Sequence, residues 1–353
     1  VSHLFEPLKL RDLTLSNRVW VSPMCQYSAT DGLPDDWHLV HLGQFAAGGA
    51  GLVLTESSAV TPDGRISRQD VGIWNDDQVA AWRRITYFIH ARGAAAGMQL
   101  NHAGRKASTI RPWDGNGSVP ASEGGWQSVG ADAQAFGGYD SARPLTESEV
   151  AAIPALFAAG ARRALDAGFD LVELHFAHGY LVHQFYSPLS NSRTDGYGGD
   201  FDGRVRLALE IAEAVRAEVG ENVPVFARIS ASDWTEGGWT IDDSVRLARL
   251  LGERGVDLID TSSGGNTPKP EIPLGPGYQV PFARRIRADV GIPTGAVGMI
   301  TDAEQAEEIV ASGAADAVFL ARALLRDPHW PLRAANTLGA DVAWPDQYAR
   351  AKS

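Results

Sequence analysis

Eight short β-forming runs alternate with amphipathic stretches along this 353-residue chain, and that rhythm restricts the fold more than any other feature. The runs are Arg18–Val21, Gly51–Glu56, Ala95–Asn101, Asp170–His175, Val223–Ile229, Val256–Ser262, Pro293–Gly298 and Ala315–Ala321. Each is nearly continuous in apolar residues, as strands buried on both faces of a parallel sheet must be. Ser148–Asp166, Phe201–Val219, Asp242–Glu253 and Asp302–Ala311 carry helical apolar spacing between them. Thr146 with Glu149, and Thr301 with Glu304, fit capping boxes. Gly93, Gly168, Gly255 and Gly313 stand where a helix must stop before the next strand. Eight strands are the number that closes an α/β barrel of the (β/α)₈ type, here as one domain over residues 1–353. A doubly wound open sheet would need a G-x-G-x-x-G turn after an early strand, and none occurs in a suitable place.

Two stretches depart from the rhythm. His102 to Arg143, after the third strand, has no sustained period and is rich in Gly, Ser, Asp and Pro. Connections that long often form lids, and Trp113, Trp126, Phe136 and Tyr139 give it something to pack with, so a substrate-side cap is expected. The net charge of −12, with no basic run, argues against nucleic acid and anionic membranes as partners. One cysteine, Cys25, leaves neither an intrachain disulfide nor a cysteine-rich metal site. No signal-type or membrane-spanning segment is evident, so a cytoplasmic location is expected.

Barrels keep their chemistry at the carboxyl ends of the strands. Strand four ends in His175, followed by His178 and Tyr180, three proton-capable side chains within six positions. Strand one runs into Ser22-Pro23-Met24-Cys25-Gln26-Tyr27, strand two into Glu56-Ser57, and strand three carries Gln99. Strand five carries Arg228, strand six runs into Gly264 and Gly265, strand seven into Gly298, and strand eight into Ala321-Arg322. Small residues beside an arginine after the last strands suit a phosphate. Gln99 both donates and accepts, which suits the carbonyl and imide edge of a flavin, and Arg228 would steady negative charge near its N1. Cys25 beside the ring could tune its redox potential, or be an inert buried thiol. A metal-dependent hydrolase using His175 and His178 would want more histidines and carboxylates on the same face.

SPMCQYS, QLNHAGRK, HFAHGYLVHQFYSPLSNSRTDGYGG, RISASD, LIDTSSGG, GAVGMIT and ARALLRDP together make the chain resemble the old yellow enzyme family, in its YqjM-like (thermophilic-like) branch. The resemblance runs from about Phe5 to Arg350. It implies non-covalent FMN, with NADPH or NADH as hydride donor. Pro23, Met24, Cys25 and the Ser57 backbone would flank the ring, and Gln99 and Arg228 would hold its pyrimidine edge. Gly264, Gly265, Gly298, Ala321 and Arg322 would wrap the phosphate. His175 and His178 would hold the carbonyl oxygen of an α,β-unsaturated substrate, Tyr180 would protonate it, and Tyr27 would line the pocket. Arg350, on a tail spanning residues 342–353, would reach a neighbouring subunit's site, which implies a homodimer or homotetramer. Ala321 departs from the family's usual glycine, and Phe176 from a usually small residue whose ring should turn away from the cofactor. Another FMN barrel oxidoreductase, of dihydroorotate or dienoyl-CoA type, is the alternative.

Overall fold

A computed structural model describes residues 2–352. Eight parallel strands form a closed ring: β1 (Val19–Val21), β2 (Leu52–Leu54), β3 (Ala95–Asn101), β4 (Leu171–Phe176), β5 (Val225–Ser230), β6 (Leu258–Ser262), β7 (Thr294–Val297) and β8 (Ala317–Leu320). Each pairs with the next in sequence, and β8 returns to β1. The helices that cover the ring are α1 (Asp36–Ala47), α2 (Asp76–Ala91), α3 (Glu147–Asp166), α4 (Phe201–Val219), α5 (Ile241–Glu253), α6 (Val280–Val290), α7 (Ala303–Ala311) and α8 (Trp330–Thr337). The molecule is therefore a (β/α)₈ barrel. No helix among the described residues is long and apolar enough to cross a membrane.

Period-two alternation sorts the strand residues into two sets. Val172, Leu174 and Phe176 of β4, with Val225, Ala227 and Ile229 of β5, join the helices in one large cluster. Phe176 is fully buried there, on the helix side of its strand. The opposite set fills the barrel, where Leu171, Phe226, Leu258 and Phe319 pack with Trp20. An antiparallel hairpin, Leu8–Leu10 with Leu13–Leu15, adds Leu10 and Leu15 to that inner cluster and closes the floor. Its turn residue Arg11 is tied to Asp257 at 2.6 Å and to Glu221 at 3.0 Å.

Local signals explain most element boundaries. Thr146 caps α3 through a reciprocal box with Glu149, as the spacing predicts. Thr301 does not cap α7: the N-cap is Asp302, and the Thr301 N–H is taken instead by the Gln305 side chain at 3.0 Å. The insertion between β3 and α3 is ordered. Ser108 Oγ accepts from the Trp126 N–H at 2.9 Å, the Trp126 indole donates to Asp63 O at 2.9 Å, and Val129–Gly130 pairs with Arg143–Pro144.

Candidate active site

Three inner strands show how the site is built. Reading upward, β4 presents Leu171, Glu173 and His175, β5 presents Phe226, Arg228 and Ser230, and β6 presents Leu258, Asp260 and Ser262. Apolar residues fill the floor, charges occupy the middle and hydrogen-bonding groups rim the top. Burying charges at mid-barrel is costly unless they are paired. Arg228 donates to Asp260 at 2.5 Å and to Ser22 Oγ at 2.8 Å, and Glu173 lies 3.8 Å away. Burial opposes the guanidinium charge, but Asp260 and Glu173 outweigh it and hold Arg228 above its ordinary value. Gln99 on β3 donates to Glu173 at 2.9 Å.

The proton-capable trio does converge. The His175 ring lies 5.2 Å from that of His178 and 5.0 Å from that of Tyr180, each nearly perpendicular. The turn between them is unusual: His178 has φ 61° and Gly179 φ 72°. A Cβ on Gly179 would lie 2.2 Å from Gly265 O, so only glycine fits. The left-handed His178 is held at both ends, its N–H donating to Ser230 Oγ at 2.9 Å and its carbonyl accepting from Lys106 Nζ at 2.8 Å. Strain of this kind, about 1–3 kcal/mol, persists only where the surroundings fix it. The His178 Nε2 is 2.7 Å from Ser262 Oγ. Burial first, then neighbouring positive groups, pushes His175 and His178 well below the ordinary histidine value, so both are neutral imidazoles. Burial pushes the Tyr180 hydroxyl well above its ordinary value, so it keeps its proton.

Tyr180 opens a short helix, Leu181–Tyr186, that a buried pair anchors. Gly179 N–H donates to His183 Nδ1 at 2.9 Å, and His183 Nε2 lies 2.7 Å from Asp233. Burial alone would raise the Asp233 carboxyl, but His183, Ser187 and the Trp239 N–H hold it below its ordinary value. Removing one partner of such a pair strands the other in the interior. Asp233→Ala is therefore expected to destabilise the protein by about 3–5 kcal/mol, read as a lower denaturation midpoint in urea.

Beside the trio lies a cavity of about 440 Å³ lined by Pro23, His178, Arg228, Gly298, Ala321 and Arg322, among others. The backbone N–H groups of Gly298, Met299 and Ala321 have no acceptor among the described residues. Neither Arg322 nor Arg326, both on this wall, has a carboxylate partner among those residues. A Cβ on Gly298 would come within 2.6 Å of the Gln279 amide. Free amides and unpaired guanidiniums, in a chain of net charge −12, fit a phosphate dianion.

Not every expected residue joins this cavity. Gly264 and Gly265 are not on the wall of this cavity: the Gly264 N–H is taken by Ser232 O at 2.8 Å, and Gly265 packs on the His178 backbone. Their glycine signal reflects a close backbone crossing. Cys25 and Tyr27, with Tyr180, form a separate wall against Ile66 and Ala107. Burial, then Asp70 and Glu56, raises the Cys25 thiol, which stays protonated. The Ser57 hydroxyl is bound by Asn101 at 2.7 Å, and Met24 packs on the outer core. Arg350 is exposed on a 3₁₀ turn, Asp346–Ala351, whose Tyr348 ring is 5.5 Å from that of His329. Sequence reasoning missed Lys106, whose ammonium donates to His178 O and Gly265 O and stands 5.0 Å from the Tyr180 ring. Burial, then Arg105, lowers it to about 7. It also missed Glu173 and Asp260, although both are acidic residues in mid-strand, two positions before His175 and Ser262.

A closed barrel with a cavity that fits a phosphate, a polar edge at its middle and neutral imidazoles beside a phenol at its rim suits a flavin-dependent oxidoreductase. The sequence pattern of the NADH:flavin oxidoreductase / NADH oxidase family matches residues 3–341. An NADPH dehydrogenase of Geobacillus thermodenitrificans is 44% identical over 349 residues, covering 98% of this chain and 98% of that protein. Morphinone reductase in complex with tetrahydroNAD superposes with a TM-score of 0.79 at 29% identity, over 97% of this chain and 92% of that one. The old yellow enzyme homologue from Zymomonas mobilis gives 0.77 at 26% identity, over 97% and 94%. The chain belongs to the NADH:flavin oxidoreductase / NADH oxidase family, and it is an enzyme that uses FMN with NADH or NADPH.

Proposed function

We propose that this enzyme reduces the activated C=C bond of α,β-unsaturated aldehydes and ketones. The observation that carries the reading is the perpendicular meeting of two neutral imidazoles and one protonated phenol at the rim. When bound, FMN supplies the hydride that it has taken from NAD(P)H. In this reading Gly298, Ala321 and Arg322 hold the phosphate, Gln99 and Arg228 the pyrimidine edge, and Pro23, Met24, Cys25 and Ser57 the rest of the ring. His175 and His178 donate to the substrate's carbonyl oxygen and stabilise the charge that grows there. Tyr180 delivers its proton to Cα, which a hydroxyl raised by burial is protonated to do. Tyr27 lines the pocket, with the Trp113 ring 5.9 Å from its own. Residues 102–143 form the cap, with Phe136 lying over the Lys106 ammonium at 4.3 Å.

The test is anaerobic: the NADPH-reduced enzyme is mixed with cyclohexenone, and reoxidation of the flavin is followed with product analysis. Reoxidation with formation of cyclohexanone is expected. A reduced enzyme that oxygen reoxidises and cyclohexenone does not would refute the reading.

The tail belongs to the same proposal. Arg350 is exposed and has no acidic partner among the described residues, while Lys352 is pinned to Asp341 at 2.6 Å. An unpaired guanidinium on a docked turn suits insertion into the site of a second copy, in a homodimer or homotetramer. Deleting residues 342–353 is expected to raise KM for cyclohexenone several-fold while FMN stays bound. A truncated monomer with unchanged KM would show that the tail is ornamental.

A further inference from the structure

We propose that Glu173 and Asp260 share one proton beneath the cofactor, so that Glu173 is a neutral acid that orients Gln99, and Asp260 alone balances Arg228. The argument begins with unpaired atoms. Both carboxyl groups are fully buried, on strands flanking β5, and are within hydrogen-bonding reach of one another. Of their four oxygens, Glu173 Oε1 accepts from Gln99 and Asp260 Oδ2 accepts from Arg228. Glu173 Oε2 and Asp260 Oδ1 have no donor among the described residues. Two neighbouring buried carboxyls, both drawn to the Nε of Arg228, repel when both are ionised, and a single proton shared between them relieves the repulsion. Arg228 decides where the negative charge stays: it is 2.5 Å from Asp260 but 3.8 Å from Glu173. Burial, then Asp260, pushes the Glu173 carboxyl well above the usual range.

A consequence reaches Gln99. A protonated Glu173 donates from Oε2 to Asp260, which leaves Oε1 as a pure acceptor. Gln99 must therefore turn its NH₂ group toward Glu173, as it does, which keeps its carbonyl oxygen for the cofactor. Glu173 is thus a positioning residue: it selects which atom of the Gln99 amide meets the cofactor. This step rests on Gln99 and Arg228 lying at the flavin's pyrimidine edge.

The experiment uses the FMN holoenzyme and its flavin-free form. Infrared spectroscopy with ¹³C-labelled glutamate is expected to show a protonated-carboxyl band in both forms, and E173Q should remove it. Absence of that band from the wild type overturns the proposal. Glu173→Gln, which mimics the neutral acid, is expected to keep the midpoint potential of the flavin. E173Q/D260N removes the only balancing charge and should raise the potential by at least about tenfold in the reduction equilibrium, ~30 mV for two electrons. E173Q alone raising the potential as far as the double variant would mean that Glu173 is ionised, and would overturn the proposal. Glu173→Ala should weaken FMN binding about tenfold, with E173Q restoring it. A labelled band together with an unchanged potential in the folded double variant would uphold the shared proton and refute the placement of Arg228 at the flavin's pyrimidine edge.

Discussion

Tyr180→Phe is expected to slow alkene reduction by about 10²- to 10⁴-fold while leaving flavin reduction by NADPH near its original rate. Reduction by NADPH moves a hydride and needs no proton from this side chain, whereas saturation of the alkene needs one at Cα. The ring itself has little reason to move. It is held by edge contacts with His175 and by the Lys106 ammonium, neither of which uses the hydroxyl. Stopped-flow measurement of the two half-reactions separately is the check. Equal impairment of both would make Tyr180 a packing or binding residue.

The second large effect concerns the imidazoles. His175→Ala and His178→Ala should each lower the rate of alkene reduction about 10²- to 10³-fold and weaken binding of p-hydroxybenzaldehyde, whose phenolate oxygen would occupy the same position. The two variants should differ in a second respect. His178 sits in a left-handed turn, and truncating it removes the ring's tie to Ser262 across the barrel rim, so its loss should also loosen the segment that carries Tyr180. His175 stands on β4 inside the strand ladder, and its removal costs the backbone only the long bond, 3.4 Å, that its Nδ1 accepts from the Ala177 N–H. His175→Ala is therefore expected to keep the wild-type thermal stability more closely than His178→Ala. Both imidazoles are held neutral by burial, so acidification toward the ordinary histidine value should not change their charge. Unchanged phenol titrations in both variants would remove them from the oxygen-binding role.

How much of this was legible beforehand depended on range. Strands and helix stops could be read because apolar runs and glycines act within a few residues: Gly93, Gly168, Gly255 and Gly313 all adopt positive φ. His175, His178 and Tyr180 could be read because one strand and one turn carry all three. What Gly264 and Gly265 admit was not legible, since a glycine that admits a phosphate and one that admits a crossing backbone, as Gly265 does at His178, look alike in sequence. Glu173 and Asp260 were passed over because each stands alone in its own strand, and only closure of the barrel brings them together. Lys106 lies in an irregular segment, and nothing local says that it folds back to the His178 carbonyl, |i−j| = 72 away. Thr301 shows the limit of spacing rules: the threonine and glutamate are correctly spaced, but the helix begins one residue later and Gln305 takes the amide.

The floor hairpin has a consequence for how the chain comes off the ribosome. Arg11 finds its partners at Asp257 and Glu221, sequence separations of 246 and 210 residues. At about 5–20 residues per second, synthesis of 246 more residues takes roughly 12–50 s. Throughout that time the inner cluster that buries Leu10 and Leu15 in the finished barrel still lacks Leu258, Ala317 and Phe319. The first pieces made are thus among the last to be seated. A nascent chain stalled before Asp257 should accordingly present this hairpin to proteases and chaperones, and one stalled after β8 should hide it.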